Sequence, residues 1–416
     1  MEFILSYEVR KHYGFNLSDF HGEEFEEKYI QIETDNVIPI RKVEAVDLMK
    51  MLVENQAASG VPYVFNRDNA NRNHQQSYLG TLKSYQLCIE FAGMHNNDFE
   101  AQCCLGSLNL PAHVINGVFD FNSLRKSSAT LARQLNKVID INVFNTKKAE
   151  RSGKEHRNIG IGILGLADVF AMLDMVYGDE QSIELNEMIQ KEIYLTVLAE
   201  TNKLAKENPD KASKRTLVCT DPDRFDFIPN DLKESLKEYG VLNELLCCNM
   251  PTSTTGKLLD SNQSFEVFDF PVSVRKTISG EFKMINRFLI FDLIKESAWN
   301  EDNMNDLLKY NDVAMLDCSE HIKAKYINKY KHNNKVYLEM AADRQKYIDQ
   351  GQSMNLYYDT NEASKISTAL YYGWKLGLPS GSYYTTMLNS LQGTTDVVQK
   401  IKTKPTNSPF ECFGCD

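Results

Sequence analysis

The run from Ile159 to Tyr177 constrains this chain more than any other stretch. It is apolar almost throughout, broken only by Gly160, Gly162, Gly165, Asp168 and Asp174. Those interruptions prevent it from crossing a bilayer unaided, so it must be buried within protein. Gly160-Ile161-Gly162-Ile163-Leu164-Gly165 has the spacing of a dinucleotide-binding fingerprint, which needs a strand directly before it. The polar Glu155-His156-Arg157-Asn158 stands there instead, so close helix packing at the glycines is the expectation.

A core of that kind suits the rest of the chain. Of 416 residues, 42% are hydrophobic and 25% charged, the balance of a water-soluble folded protein. A net charge of −11 gives no chain-wide case for binding a nucleic acid polymer or an acidic membrane, and leaves room for a local anion pocket. The N-terminus meets Glu2 and Glu8 at once and shows no secretory cleavage pattern. Nine cysteines are too sparse and too odd a number for a secreted disulfide framework. The cytoplasm is the expected setting, and any disulfide should be a working one.

Val46, Met49, Leu52 and Val53 predict a helix ended by Gly60-Val61-Pro62. Leu185, Met188, Ile189, Ile193 and Val197 predict a long helix to about Glu207, stopped by Pro209. Phe282–Ile294 and Trp299–Leu308 also read as helical. Tyr63–Phe65, Leu87–Ile89, Phe265–Phe270 and Tyr383–Tyr384 read as strands between helices, an α/β layout. Residues 1–20 carry little pattern, 21–385 are densely structured, and 386–416 read as a flexible tail ending Cys412-Phe413-Gly414-Cys415-Asp416.

Several groups can carry chemistry. In Gln86-Leu87-Cys88-Ile89-Glu90, strand alternation would point an amide, a thiol and a carboxyl into one cavity. A carboxylate beside a thiol disfavours the thiolate, so Cys88 suits hydrogen-atom chemistry better than nucleophilic attack; a plain buried cysteine is the alternative. Cys103 and Cys104 are adjacent, and a disulfide between them would be strained. Pro251-Thr252-Ser253-Thr254-Thr255-Gly256 reads as a phosphate cradle at a helix start, or as a capped helix without ligand. Tyr383 and Tyr384 can pack, or pass an electron and a proton together. Cys412 and Cys415 on a mobile tail suit thiol–disulfide exchange, or are accidental; no second CxxC or HxxxH completes a metal site.

Taken in this order, the motifs resemble the large (α) subunit of class I ribonucleotide reductase, over residues 21 to 416. His156-Arg157-Asn158-Ile159-Gly160-Ile161-Gly162, Gly165-Leu166-Ala167-Asp168 and Asn262-Gln263-Ser264-Phe265-Glu266 belong to the match. So do Ser279-Gly280-Glu281-Phe282, Asp343-Arg344 through Gln350–Asn355, and Tyr372-Gly373-Trp374-Lys375 with Gly377-Leu378. The resemblance implies the second, C-terminal half of a ten-stranded α/β barrel with a finger loop through its middle and a flexible tail. It implies that Cys88 becomes a thiyl radical and takes the ribose 3′-hydrogen, with Glu90 accepting the 3′-hydroxyl proton. Cys103 is similar to one half of the dithiol that reduces the 2′ position, Pro251–Gly256 to the loop holding the substrate phosphates. Tyr383 and Tyr384 resemble the dyad that relays the radical from a metal-containing small (β) subunit. Cys412 and Cys415 resemble the tail pair that re-reduces the site and is reset by thioredoxin or glutaredoxin. No cofactor or metal is implied for this chain itself, and the substrate would be a ribonucleoside diphosphate.

Three departures stand out. The family's first half has no counterpart here, including the cysteine that pairs with Cys103. The expectation is therefore a split large subunit, with an N-terminal companion chain supplying the other half-barrel and that thiol. Gln86 stands where the family has asparagine, and its extra methylene shifts the amide by about 1 Å. Pro379-Ser380 also differs from the usual residues before the dyad. The alternative is a catalytically degenerate relative serving as an interaction or scaffold protein.

Overall fold

A computed structural model of the chain describes residues 2–213, 225–277, 280–360 and 362–388. Its organising feature is a succession of parallel segments joined by helices. Leu105–Asn109 pairs in parallel with Gly160–Leu164 over five residue pairs. Ile161 bridges in parallel to Cys247, and Asn249 to Gln352. Beyond these, Leu356–Tyr358 pairs in parallel with Thr385–Met387. The helices Phe121–Ile141, Glu180–Glu207, Asn334–Gln345 and Ala363–Lys375 fall between successive segments, as parallel pairing requires. The result is the expected α/β half-barrel, not closed on itself among the described residues.

The Ile159–Tyr177 run is the heart of the core. Gly160–Leu164 is buried at every position, as a central parallel strand must be. The glycines serve this strand rather than helix packing, which corrects the expectation. A Cβ on Gly160 would lie 2.3 Å from Cys248 Sγ, and one on Gly162 would lie 2.5 Å from the Cys248 carbonyl. Strand and neighbour approach closely because both side chains are absent. Leu166–Met172 follows as a buried helix.

The long helix forms as predicted. Glu180–Glu207 is capped by the Asp179 carboxylate, which accepts from the Ser182 N–H, and buries Leu185, Ile189, Ile193 and Val197. Ala45–Ser59 ends at Gly60 in the left-handed conformation, and Glu301–Tyr310 matches the helix expected at Trp299–Leu308.

Other expectations fail. Phe282–Ile294 is not one helix: Gly280–Ile285 pairs antiparallel with Val272–Thr277, and helix Arg287–Lys295 starts after Asn286, whose side chain accepts from the Phe288 and Leu289 N–H groups. Pairing with a β-branched partner strand overrides an apolar pattern that fits either structure. Phe265 sits in a turn and 266–270 form no ladder, and residues 87–89 turn as well. Tyr383–Tyr384 sits in the break between Ser380–Ser382 and Thr385–Met387. The faintly patterned opening folds too: Ser6–Tyr13 is a helix, and its Val9 packs with Ile32 and Ile38 across the boundary drawn at residue 20. Among the described residues no helix is long and apolar enough to cross a membrane.

Candidate functional site

Residues 86–91 form a tight reversal held at its neck, where the Gln86 N–H donates to the Phe91 carbonyl at 3.0 Å. Inside it the Ile89 N–H donates to the Gln86 carbonyl at 2.8 Å, and Ile89 takes φ +60°. That conformation is strained for a β-branched residue and persists only where surrounding structure enforces it. The enforcement comes from distant segments. Ser380 Oγ donates to the Ile89 carbonyl at 2.7 Å, and Ser353 Oγ donates to the Cys88 carbonyl. The Gly351 N–H donates to the Glu90 carbonyl at 2.7 Å, and Gln350 Oε1 accepts from the Ala92 N–H. Gly351 is obligatory here: a Cβ would lie 2.5 Å from the Tyr85 ring and 2.8 Å from the Ile89 carbonyl.

This turn, not a strand, presents the chemistry. Cys88 is half-buried at its tip while Leu87 points outward. Burial raises the Cys88 thiol first, a hydrogen bond from the Tyr383 hydroxyl opposes that, and Glu90 adds to the rise. The thiol stays protonated, as hydrogen-atom transfer needs. Glu90 is 3% exposed, and burial pushes its carboxyl up to about 7, moderated by Ser353 Oγ at 3.3 Å. A carboxyl titrating near neutrality can take or return a proton.

The dyad lies on the other side of Cys88. The Tyr383 and Tyr384 ring centres are 4.4 Å apart, and the Tyr383 hydroxyl reaches the Cys88 sulfur. The dyad backbone is pinned: the Tyr383 N–H donates to the Met354 carbonyl, the Tyr384 N–H to Asn355 Oδ1, and the Leu356 N–H to the Tyr384 carbonyl. Asn355 is held in turn by the buried Glu266, which also accepts from the Tyr357 hydroxyl at 2.8 Å.

Cys103 is exposed, and its thiol donates to Gln86 Oε1 at 2.7 Å. Gln86 Nε2 in turn donates to the Ala101 carbonyl at 2.8 Å and meets His95 at 3.1 Å. Desolvation on the protein side, then Glu90 and Cys88, push the Cys103 thiol up to about 12. With Cys104 it lines a cleft of about 310 Å³ that also takes in Leu135, Phe144 and Asn158. Thr252 precedes helix Ser253–Leu259, and its Oγ1 accepts from the Ser264 N–H at 2.7 Å. Ser253, Thr254 and Thr255 are exposed on the first turn, while Pro251 is half-buried and Gly256 packs under the Ser261 carbonyl. This turn follows Cys247–Asn249, so it sits at the C-terminal end of a parallel segment, where open α/β sheets bind ligands. Cys412 and Cys415 lie outside the described residues. A cavity of about 520 Å³ lined by Tyr330, Tyr357 and Tyr372 contains none of these groups.

The family model for the ribonucleotide reductase barrel domain matches residues 5–384. The chain belongs to this family. Similar proteins include ribonucleoside-diphosphate reductase large subunits of Trypanosoma brucei brucei, 32% identical over 88% of this chain and 47% of that one, and of Danio rerio, 34% identical over 94% and 51%. The monkeypox virus large subunit is 33% identical over 95% of this chain and 50% of its own length. The chain therefore spans about half the length of the curated relatives it matches. In fold it is similar to the Actinobacillus ureae class Id ribonucleotide reductase alpha subunit, with a TM-score of 0.66 at 23% identity, covering 82% of this chain and 61% of that one. Within this reductase barrel the residues that pin the finger loop escape sequence reasoning. Gly351 and Ser353 were visible only as part of a matching stretch, and Tyr63, whose ring centre lies 4.6 Å from that of Tyr383, only as a strand residue.

Proposed function

We propose that this chain is the catalytic portion of a ribonucleoside-diphosphate reductase large subunit, reducing ribonucleotides to deoxyribonucleotides by thiyl-radical chemistry. The observation that carries the reading is the finger loop, with the Cys88 sulfur near the Tyr383 hydroxyl and the carboxyl of Glu90 two residues on. A radical arriving through Tyr384 and Tyr383 takes the hydrogen atom of the Cys88 thiol. The Cys88 thiyl abstracts the ribose 3′-hydrogen, and Glu90 receives the 3′-hydroxyl proton. The 2′-hydroxyl then leaves as water as Cys103 and a second thiol give up two electrons and two protons and close to a disulfide. Glu90 and Cys88 return the proton and the hydrogen atom to the 3′ position. Ser253, Thr254 and Thr255, with the neighbouring Pro251, Thr252 and Gly256, hold the diphosphate.

The open half-barrel and the exposed Cys103 support the finer parts of this reading. An N-terminal large-subunit portion closes the barrel and brings the second thiol, because a disulfide needs two sulfurs within bonding reach. A metal-containing small subunit supplies the radical. Cys412 and Cys415 return electrons from thioredoxin or glutaredoxin, in the cytoplasm. The test is diphosphate reduction by the chain mixed with both subunits, repeated with Cys88→Ala. Measurable turnover by the alanine variant would sink the radical role. Gln86, occupied by Cys103 and Ala101, favours the scaffold alternative, for which full assembly without any turnover would be the signature.

A further inference from the structure

The tyrosine pair has a third ring against it. The ring centres of Tyr63 lie 4.6 Å from Tyr383 and 5.0 Å from Tyr384, nearly the separation of the pair itself. The three phenols form a triangle rather than a line. The Tyr63 hydroxyl lies close enough to those of both Tyr383 and Tyr384 for each to shift its titration.

This contact is built, not incidental. Val64 and Phe65, directly after Tyr63, pair antiparallel with Ser382 and Ser380, directly before the dyad. On the other flank the buried Gln56 side chain donates to both the Pro62 carbonyl at 2.7 Å and Ser382 Oγ at 2.9 Å. The Thr385 N–H closes the frame by donating to the Gly60 carbonyl at 3.0 Å. Both neighbours of Tyr63 are thus tied to Ser382 before the dyad, and Gly60, three residues ahead of Tyr63, to Thr385 after it. Tyr384 is 41% exposed, so little else restrains its ring on the solvent side.

We propose that Tyr63 is a positioning residue for the radical relay, its hydroxyl holding the exposed Tyr384 ring against Tyr383. This deepens the reading above and rests on it for the reaction served. Tyr63 is neither oxidised nor reduced. The oxidant is the small-subunit radical, which removes one electron and one proton from Tyr384. Tyr384 regains both from Tyr383, and Tyr383 from the Cys88 thiol. The Tyr383 hydroxyl has a single proton, and both the Cys88 sulfur and the Tyr63 oxygen lie near it. With Tyr384 secured by Tyr63, that proton is free to be shared toward the sulfur. Burial, with the bond to Tyr384, holds the Tyr63 phenol up at about 12, so it stays neutral throughout.

The test is Tyr63→Phe, which keeps the ring and removes only the hydroxyl, in the full complex with 3-fluorotyrosine placed at position 384. The kcat for diphosphate reduction is expected to fall by about fivefold, the effect of one lost hydrogen bond, with KM unchanged. The fluorine resonance of residue 384 should move toward its solvent-exposed position. An unchanged resonance, or a moved resonance with unchanged kcat, overturns the proposal. If the wild-type complex itself fails to reduce diphosphates, the reading above fails, and the positioning role stands or falls on the resonance alone.

Discussion

The two sides of Cys88 are built differently. On the dyad side every backbone group that matters has a partner from a distant segment: Ser380 and Ser353 on the finger loop, Met354 and Asn355 on the tyrosines. On the Cys103 side the thiol is exposed, and its partner is Gln86 of the same loop. The half of the site around Cys88 and the tyrosines is over-determined by this chain alone. The half around Cys103 is not, and that thiol lies on an open face. This asymmetry is what the proposed function asks for: radical transfer tolerates little misplacement, whereas a dithiol has to meet several partners in turn.

Changes on the pinned side should do the most damage. Gly351→Ala forces a methyl into the Tyr85 ring and the Ile89 carbonyl; the expected outcome is about 1–3 kcal/mol lost in chemical denaturation and no measurable diphosphate reduction. Full stability and activity would show that the loop is not fixed by this approach. Glu90→Gln keeps the shape and removes the base, so kcat should drop by about 10²–10⁴ while substrate affinity holds. In the wild type, kcat should rise with pH as Glu90 ionises near 7. The same group runs opposite in stability. Its folded pKa lies above the ordinary value of 4.5, so its neutral form is favoured in the fold, and its contribution is lost as pH climbs through about 7.

Ser353→Ala sharpens the comparison with a smaller effect. It removes bonds to the Cys88 carbonyl and to Glu90, and should cost about 1 kcal/mol in stability. Because Ser353 holds Glu90 down, its loss should also move the acid limb of the kcat profile to higher pH. On the open side, Gln86→Asn releases the Cys103 thiol. Gln86 also bonds the Ala101 carbonyl, so stability measured by urea melting should fall by about 1 kcal/mol at most, less than at Gly351. A large loss there would mean that the open side is as tightly determined as the pinned one.

Periodicity carried far where local pattern and tertiary burial agree. The Glu180–Glu207 helix was legible because Leu185, Ile189, Ile193 and Val197 repeat on one buried face and Pro209 sets the stop. The finger loop misled because Gln86, Cys88 and Glu90 alternate over too short a span to separate a strand from a turn, and the left-handed Ile89 is enforced from residues 353 and 380. The direction of the Cys88 shift was nevertheless foreseeable: burial raises the thiol most, and the nearby Glu90 carboxyl adds to the rise whatever the backbone does. Tyr63 was legible as an extended residue and not as a neighbour of the dyad. Only the pairing of Val64–Phe65 with Ser380–Ser382 brings it there.

The pinned dyad backbone has one more consequence. With the peptide groups of residues 383 and 384 clamped to Met354, Asn355 and Leu356, neither main chain can shift without breaking a buried bond. Rotation about each tyrosine's Cα–Cβ axis is the soft coordinate that remains. Any rearrangement of the pair therefore has the character of a rotor, the swing of an aromatic side chain on a stationary frame.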